Sequence, residues 1–301
     1  MPLSPLFVYG KPDKIRPMRY LTYLLPLLLI ACGVQPPKLD GPLPPLTKQL
    51  SCLPKEAALI SAHRGTSRGT SYAENSIEGL NYLLDKGYLM SEIDVSRLKD
   101  NTHILFHDGV WEEGSTGKGV VAATSWDEAS KFILKDTQSR FTSQRIPKLE
   151  DYLIAAKDRA YLEIDFKSSA NYNYVIDLIR KLEMSKQVIL ISYNPGQAKK
   201  LSRLAPEMLI SISTQKSRDA LGYPPGQAAA WVSKGMNDTT LIKRLNENNI
   251  PILGKVGHEW SESKARIADV LVTDYAIEHR PITGLTRGNR HAYIDCMGSY
   301  E

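Results

Sequence analysis

Ala57-Ala58-Leu59-Ile60-Ser61-Ala62-His63-Arg64-Gly65 is an apolar run of strand length that ends in an imidazole, a guanidinium and a glycine. Counting it as Leu59 to His63, the same kind of buried run recurs at Leu89 to Val95, Tyr161 to Phe166, Val188 to Ser192, Leu209 to Ser213, Ala229 to Ser233, Ile250 to Val256 and Val270 to Thr273. Most of these eight runs are followed by a segment of helical periodicity, such as Tyr174 to Ile179. Eight alternating units in ~220 residues predict an α/β fold, a (β/α)8 TIM barrel, whose chemistry gathers at the C-terminal ends of the strands. His63, Glu92, Asp94, Asp165 and Lys167 all fall at such ends. The extra sequence up to about Arg145 is a small insertion after the second strand, expected at the mouth.

Period-two geometry puts Glu92 and Asp94 on one face of the second strand, and two carboxylates on one face make half of a site for a hard cation. Lys99-Asp100-Asn101-Thr102 fits a hairpin with Asp100-Asn101 as its two-residue turn. Pairing Lys99 with Thr102 sets Asp94 directly opposite His107, on a shared face. Asn75 with Glu78 three residues on reads as a capping box, opening a helix at Ser76.

Toward the N-terminus the composition changes. Residues 33–54 carry Pro36, Pro37, Pro42, Pro44, Pro45 and Pro54, and read as a semi-rigid linker before a domain spanning 55–301. Residues 1–32 form a signal region: a basic start at Met18-Arg19, a short apolar run, and Ala31 before Cys32. The run is too short for the ~20 residues of a membrane span. Leu29-Ile30-Ala31-Cys32 resembles the bacterial lipoprotein signal, which implies cleavage before a diacylated Cys32 and an exported protein anchored to a membrane on its periplasmic side. Gly33 carries no retention signal of the kind Asp would give, which favours the outer membrane over the inner. Met18 also fits as the true start. With Cys32 acylated, Cys52 and Cys296 remain, just outside the first and last strands of a closed barrel, and are a disulfide candidate; two free thiols are the alternative.

The chain, 42% hydrophobic and 24% charged, fits one large domain or two small ones and has ample material for a core. Lys11, Lys14, Arg16 and Arg19 against Asp13 put +3 of the net +5 into the first 31 residues, leaving +2 for the remainder. That balance excludes a nucleic-acid footprint.

His63-Arg64-Gly65, Glu74-Asn75-Ser76, Glu92-Ile93-Asp94-Val95, Lys99-Asp100, His107-Asp108 and Thr116-Gly117-Lys118-Gly119, in this order and at this spacing, resemble the glycerophosphodiester phosphodiesterase family. The resemblance continues more weakly through Ile146 to Glu150, Asp165-Phe166-Lys167, Ile191-Ser192-Tyr193 and Thr273-Asp274-Tyr275. It implies a metal-dependent hydrolase that cleaves a small-molecule glycerophosphodiester to an alcohol and glycerol 3-phosphate. His63 and His107 would then be the general base and general acid, and Arg64 and Lys167 the phosphate contacts. Glu92, Asp94 and Asp165 would hold one divalent cation, Mg²⁺ or Ca²⁺, because their donors are all oxygens. The family's acidic-x-Lys pattern also fits Glu163, but Asp165 lies nearer the strand's C-terminal end; Glu163, one layer deeper, must be paired or protonated. The resemblance further implies attack by the glycerol's own hydroxyl, giving a cyclic phosphate that water opens.

One departure bears on the substrate. Where the family commonly has Trp-Thr-Val-Asn, this chain has Leu253-Gly254-Lys255-Val256-Gly257, losing an aromatic and gaining a cation. Lysophospholipase D activity on lysolipids and a non-catalytic lipoprotein that binds a phosphorylated ligand are the alternative functions. His103, His258, His279 and His291 read as structural or surface residues, and Trp111, Trp126, Trp231 and Trp260 as packing, with Trp111 a candidate for the mouth.

Overall fold

The structure, a computed structural model, describes residues 42–232, 237–258 and 266–298. The signal region with Cys32, residues 33–41 of the proline-rich segment, and Trp260 lie outside the described residues. In chain order come α1 (Leu46–Cys52), β1 (Ala58–Ala62), α2 (Ile77–Asp85), β2 (Met90–Arg97) and β3 (His103–Leu105). The inserted segment adds α3 (Trp126–Ala129), β4 (Ile133–Lys135) and β5 (Phe141–Arg145). Helix and strand then alternate through α4 (Leu149–Ala156), β6 (Tyr161–Phe166), α5 (Tyr172–Lys181), β7 (Val188–Ser192), α6 (Pro195–Leu204) and β8 (Leu209–Ser213). The chain continues with α7 (Ser217–Leu221), β9 (Ala228–Trp231), α8 (Thr239–Glu247), β10 (Ile252–Val256), β11 (Val270–Thr273), β12 (Ile282–Thr283) and α9 (Arg290–Gly298).

Eight parallel strands run β1-β2-β6-β7-β8-β9-β10-β11, and β11 pairs back onto β1 from Leu59↔Val270 to Ala62↔Thr273. The result is a closed (β/α)8 barrel. Alternation along each strand divides its side chains. Inward-facing Leu59, Met90, Tyr161, Ile189, Leu209, Ala229, Leu253 and Val270 close the bottom against Leu46 and Leu50 of α1 and Tyr293 and Met297 of α9. Outward-facing Ile60, Ile93, Ile164, Leu190, Ile210 and Leu271 bury against Leu80, Leu153, Val175, Ile179 and Leu201 of the surrounding helices. Each such side chain contributes about 1.5–3 kcal/mol of hydrophobic transfer. Two residues beyond the closing layer, on the same inward face, stand Ser61, Glu92, Glu163, Ser211 and Lys255. Apolar packing at the bottom therefore forces the polar groups toward the mouth.

The packed body begins earlier than Lys55. Leu46, Gln49, Leu50 and Cys52 are buried, Tyr161 donates its hydroxyl proton to the Pro44 carbonyl at 2.8 Å, and Gln49 Nε2 donates to the Tyr293 hydroxyl at 2.7 Å. Within this proline-rich segment, residues 46–53 are free of proline, and Leu46 and Leu50 fall one turn apart, so a short amphipathic helix forms between the breakers. Cys52 and Cys296 are joined, with their Cα atoms 5.6 Å apart across a sequence separation of 244. A bridge closing so long a loop contributes about 2–4 kcal/mol.

The β2–β3 register differs by one residue from that expected. Val95 pairs with Leu105 and Arg97 with His103, so Asp94 lies opposite Phe106, whose N–H donates to the Asp94 carbonyl at 3.1 Å. The loop has three residues, Lys99-Asp100-Asn101, with Asn101 in the left-handed region at φ 67° and Leu98 N–H bonded to the Thr102 carbonyl. That is the three-residue hairpin, a type I turn followed by a left-handed residue. Trp111 is buried between Phe106 and Phe132 in the insertion's own core and does not reach the mouth. The cap of α2 is Ser76, whose Oγ accepts from Gly79 N–H at 3.0 Å, one residue later than the Asn75-Glu78 spacing suggests. Among the described residues no helix is long and apolar enough to cross a membrane.

Candidate active site

β1 ends where Arg64 takes the left-handed conformation, φ 54° and ψ 31°, at a cost of about 1–2 kcal/mol for a side-chain-bearing residue. Two backbone hydrogen bonds hold it there: Arg64 N–H donates to Glu92 Oε2 at 2.8 Å, and its carbonyl accepts from Asn75 N–H at 2.6 Å. Gly65 follows at φ +64°, where a Cβ would sit 2.8 Å from the Tyr152 hydroxyl. Histidine, arginine and glycine are thus needed in that order, because the turn aims the first two and admits no bulk at the third.

Glu92, Asp94 and Asp165 are buried, and each offers a carboxylate oxygen within 4.8 Å of the other two. The β2–β6 register produces this, pairing Asp94 with Asp165 and Glu92 with Glu163. Asn75 grips Asp94 twice, Nδ2 donating to Oδ2 at 2.8 Å and Oδ1 accepting the Asp94 N–H at 2.9 Å. Lys167 Nζ spans Asp94 Oδ1 at 2.7 Å and Asp165 Oδ2 at 2.6 Å. Burial works against the Lys167 ammonium, but the two carboxylates outweigh it and raise its pKa. Burial, then the neighbouring Asp94 charge, pushes Glu92 well above the usual carboxylate range. Asp165 Oδ1 is buried with no hydrogen-bond partner. A set of all-oxygen donors, crowded and under-neutralised, suits a hard divalent cation such as Mg²⁺ or Ca²⁺. Glu163 lies below this group and outside it. Its carboxylate is fully buried with neither oxygen hydrogen-bonded, and burial pushes it up to about 7.

The two histidines reach the same cavity by different routes. His63 Nδ1–H donates to Asp274 Oδ1 at 2.6 Å, which turns Nε2 inward, 3.8 Å from Glu92 Oε2. That bond from His63 holds the Asp274 carboxyl down at about 2, with Lys255 and Arg68 adding to it against burial. His107 lies just past the end of β3, where the chain leaves the sheet. Its Nδ1 bonds Asp108 Oδ1 at 2.8 Å, and its Nε2 meets Arg64 Nη2 at 2.9 Å. Arg64 also donates through Nη1 to Glu74 Oε2 at 2.8 Å.

All seven residues singled out by sequence are therefore brought together, and they are joined by Asn75, Tyr193 and Asp274, which the resemblance motifs contain without a role in the site, and by Trp231. Tyr193 donates its hydroxyl proton to Asp165 Oδ2 at 2.8 Å, although the residue as a whole is 64% exposed. Trp231, expected to pack, lines the same cavity, of about 260 Å³, together with Ser211, Ser213 and Lys255. Only inward alternation on β9 would have found Trp231. The place of Asp274 just after the last strand's C-terminal end was legible, and its pairing with His63 was not.

A family model described as "Glycerophosphoryl diester phosphodiesterase family" matches residues 63–254. A glycerophosphodiester phosphodiesterase of Caldanaerobacter subterraneus is 26% identical over 52% of this chain and 67% of its own. The crystal structure of a glycerophosphoryl diester phosphodiesterase from Parabacteroides distasonis superposes with a TM-score of 0.68 at 22% identity, covering 85% of this chain and 94% of that one. An Oleispira antarctica phosphodiesterase, solved in complex with the product sn-glycerol-3-phosphate, gives a TM-score of 0.59 at 17% identity, covering 82% and 99%.

Proposed function

This chain belongs to the glycerophosphoryl diester phosphodiesterase family and is a phosphoric diester hydrolase, and from that premise we propose that it cleaves glycerophosphodiesters to an alcohol and glycerol 3-phosphate by two-histidine, cation-assisted catalysis. The observation that carries the proposal is the convergence of Glu92, Asp94, Asp165, His63 and His107 on one cavity at the barrel mouth. A phosphodiester resists attack because its charge repels nucleophiles and its leaving alkoxide is poor. Glu92, Asp94 and Asp165 would hold one divalent cation, which when bound supplies Lewis-acid neutralisation of the phosphoryl oxygen. Lys167 and the Arg64 fork contribute further positive charge to the phosphoryl oxygens. His63, fixed through Nδ1 by Asp274, takes a proton at Nε2 from the attacking hydroxyl. His107 Nε2, released as Arg64 turns to the phosphoryl group and then protonated from solvent, gives that proton to the leaving oxygen. Glycerophosphodiester hydrolysis by the purified domain, lost in excess EDTA and restored by Mg²⁺ or Ca²⁺, tests this reading. Undiminished turnover in EDTA would overturn the cation requirement.

We further propose that the protein is an exported lipoprotein, diacylated at Cys32 and anchored on the periplasmic side of the outer membrane. Support comes from the Leu29-to-Cys32 signal, and from the Cys52–Cys296 bridge, which belongs in an oxidising compartment. Replacing Cys32 with Ser is expected to move the protein from the membrane fraction to an unprocessed or soluble species. Identical fractionation of wild type and variant would exclude the anchor.

A further inference from the structure

A second cavity, of about 460 Å³, opens beside the catalytic one, and Ser192, Tyr193 and Ser213 line both. It lies between the C-terminal ends of β7 and β8 and the starts of α6 and α7, so it is an extension of the mouth. Lys199 and Arg218 line it, both exposed, and neither is held by a carboxylate among the described residues. The one acid in its wall, Asp219, turns its Oδ2 to the backbone N–H groups of Gln215 and Lys216, at 3.0 and 2.9 Å. The remaining wall is hydroxyl, amide and ring, with Ile212 and Pro195 as its apolar part. Tyr193 separates the two cavities, its hydroxyl fixed on Asp165 and the residue as a whole exposed.

A phosphodiester has two arms, and with its phosphate above Glu92, Asp94 and Asp165 the shared edge at Tyr193 leaves one arm a way into this second cavity. Resting on the diesterase reading above, we infer that the second cavity is the subsite for the leaving alcohol, and that it takes a polyol bearing a second phosphate. Lys199 and the planar fork of Arg218 match phosphate oxygens, Arg218 bidentately. Ser213, Gln215 and Tyr223 match hydroxyls. No such cations would be needed for a choline or ethanolamine head, which they would repel.

A matched pair of substrates tests this. Glycerophosphoglycerol and 1,3-bis(glycerophospho)glycerol differ at the head only by the second phosphodiester. After halving for the latter's two equivalent esters, its kcat/KM is expected to exceed that of the former by about 10-fold at low ionic strength, a preference that shrinks as salt screens it. In the Lys199→Gln/Arg218→Gln double variant, with its melting temperature checked against wild type, the ratio is expected to fall to about 1. A wild-type ratio near 1, or a double variant that keeps the wild-type ratio, overturns the subsite. Should the wild type cleave neither compound, the diesterase reading fails by itself. Calorimetric Kd values for the same two compounds, with the same ratio expected between wild type and double variant, then decide the subsite.

Discussion

Asp94→Asn is expected to lower kcat/KM by about 10⁴-fold, the several kcal/mol that a bound cation contributes at roughly 1.4 kcal/mol per factor of ten. Asp94 is the choice because three groups converge on it: the Asn75 amide, Lys167 Nζ at 2.7 Å and Arg64 Nε at 3.9 Å. Asparagine keeps the volume and one acceptor oxygen, so the 1% exposed site stays filled. Alanine would leave Lys167 with Asp165 as its one remaining carboxylate, a loss that costs several kcal/mol of stability in a buried pair and confuses folding with chemistry. Two measurements separate the effects. Calorimetric titration of Mg²⁺ or Ca²⁺ should lose its binding signal in the variant, and the thermal transition should remain cooperative. Near-normal turnover, or normal cation affinity, would remove Asp94 from the proposed ligand set.

His107→Ala is expected to lower kcat by about 10²- to 10⁴-fold, the range of general acid–base contributions, with a smaller rise in KM. The smaller rise arises because His107 Nε2 is also the acceptor for Arg64 Nη2 at 2.9 Å, so its removal loosens the phosphate fork. His107→Gln isolates the proton transfer: it keeps an acceptor near Arg64 but cannot carry a proton. A kcat deficit equal to that of alanine with KM restored supports the acid role. Recovery of kcat in the glutamine variant would mean that His107 only positions Arg64.

The barrel was legible because eight apolar runs at regular intervals leave few other ways to bury them, and the carboxylates were legible because period two fixes their face. The hairpin register was not. Asp100 and Asn101 suit both a two-residue turn and a three-residue loop with Asn101 left-handed, and local sequence does not choose between them. Here β3 stops at Leu105, so the one-residue shift that puts Phe106 opposite Asp94 still delivers His107 to the cavity. Asn75 was misread for a related reason: asparagine caps helices well, but Ser76 does that here and Asn75 spends its amide on Asp94. Asp274 is the partner of His63 across 211 residues, and a pairing of that span is invisible until the barrel closes. The helix Leu46–Cys52 was masked by its setting, since prolines on both sides dominate the local composition.

The link from Cys52 to Cys296 turns the domain into a covalent ring, with the barrel's seam between β1 and β11 lying close to the knot. A ring has no first or last strand. A protease that cuts one surface loop opens it once, and the two pieces stay attached through the sulfur bridge and through neighbouring strands, so a nicked molecule keeps its mass until a reductant is added. For the same reason new ends can be cut at a mouth-distal loop while the bridge still holds the segments around Cys52 and Cys296 together. The order in which the strands are synthesised is then an accident of where the ring was opened, and the cavity, whose acidic, basic and imidazole groups come from the ends of β1, β2, β3, β6 and β11, depends on those ends being brought together and not on that order.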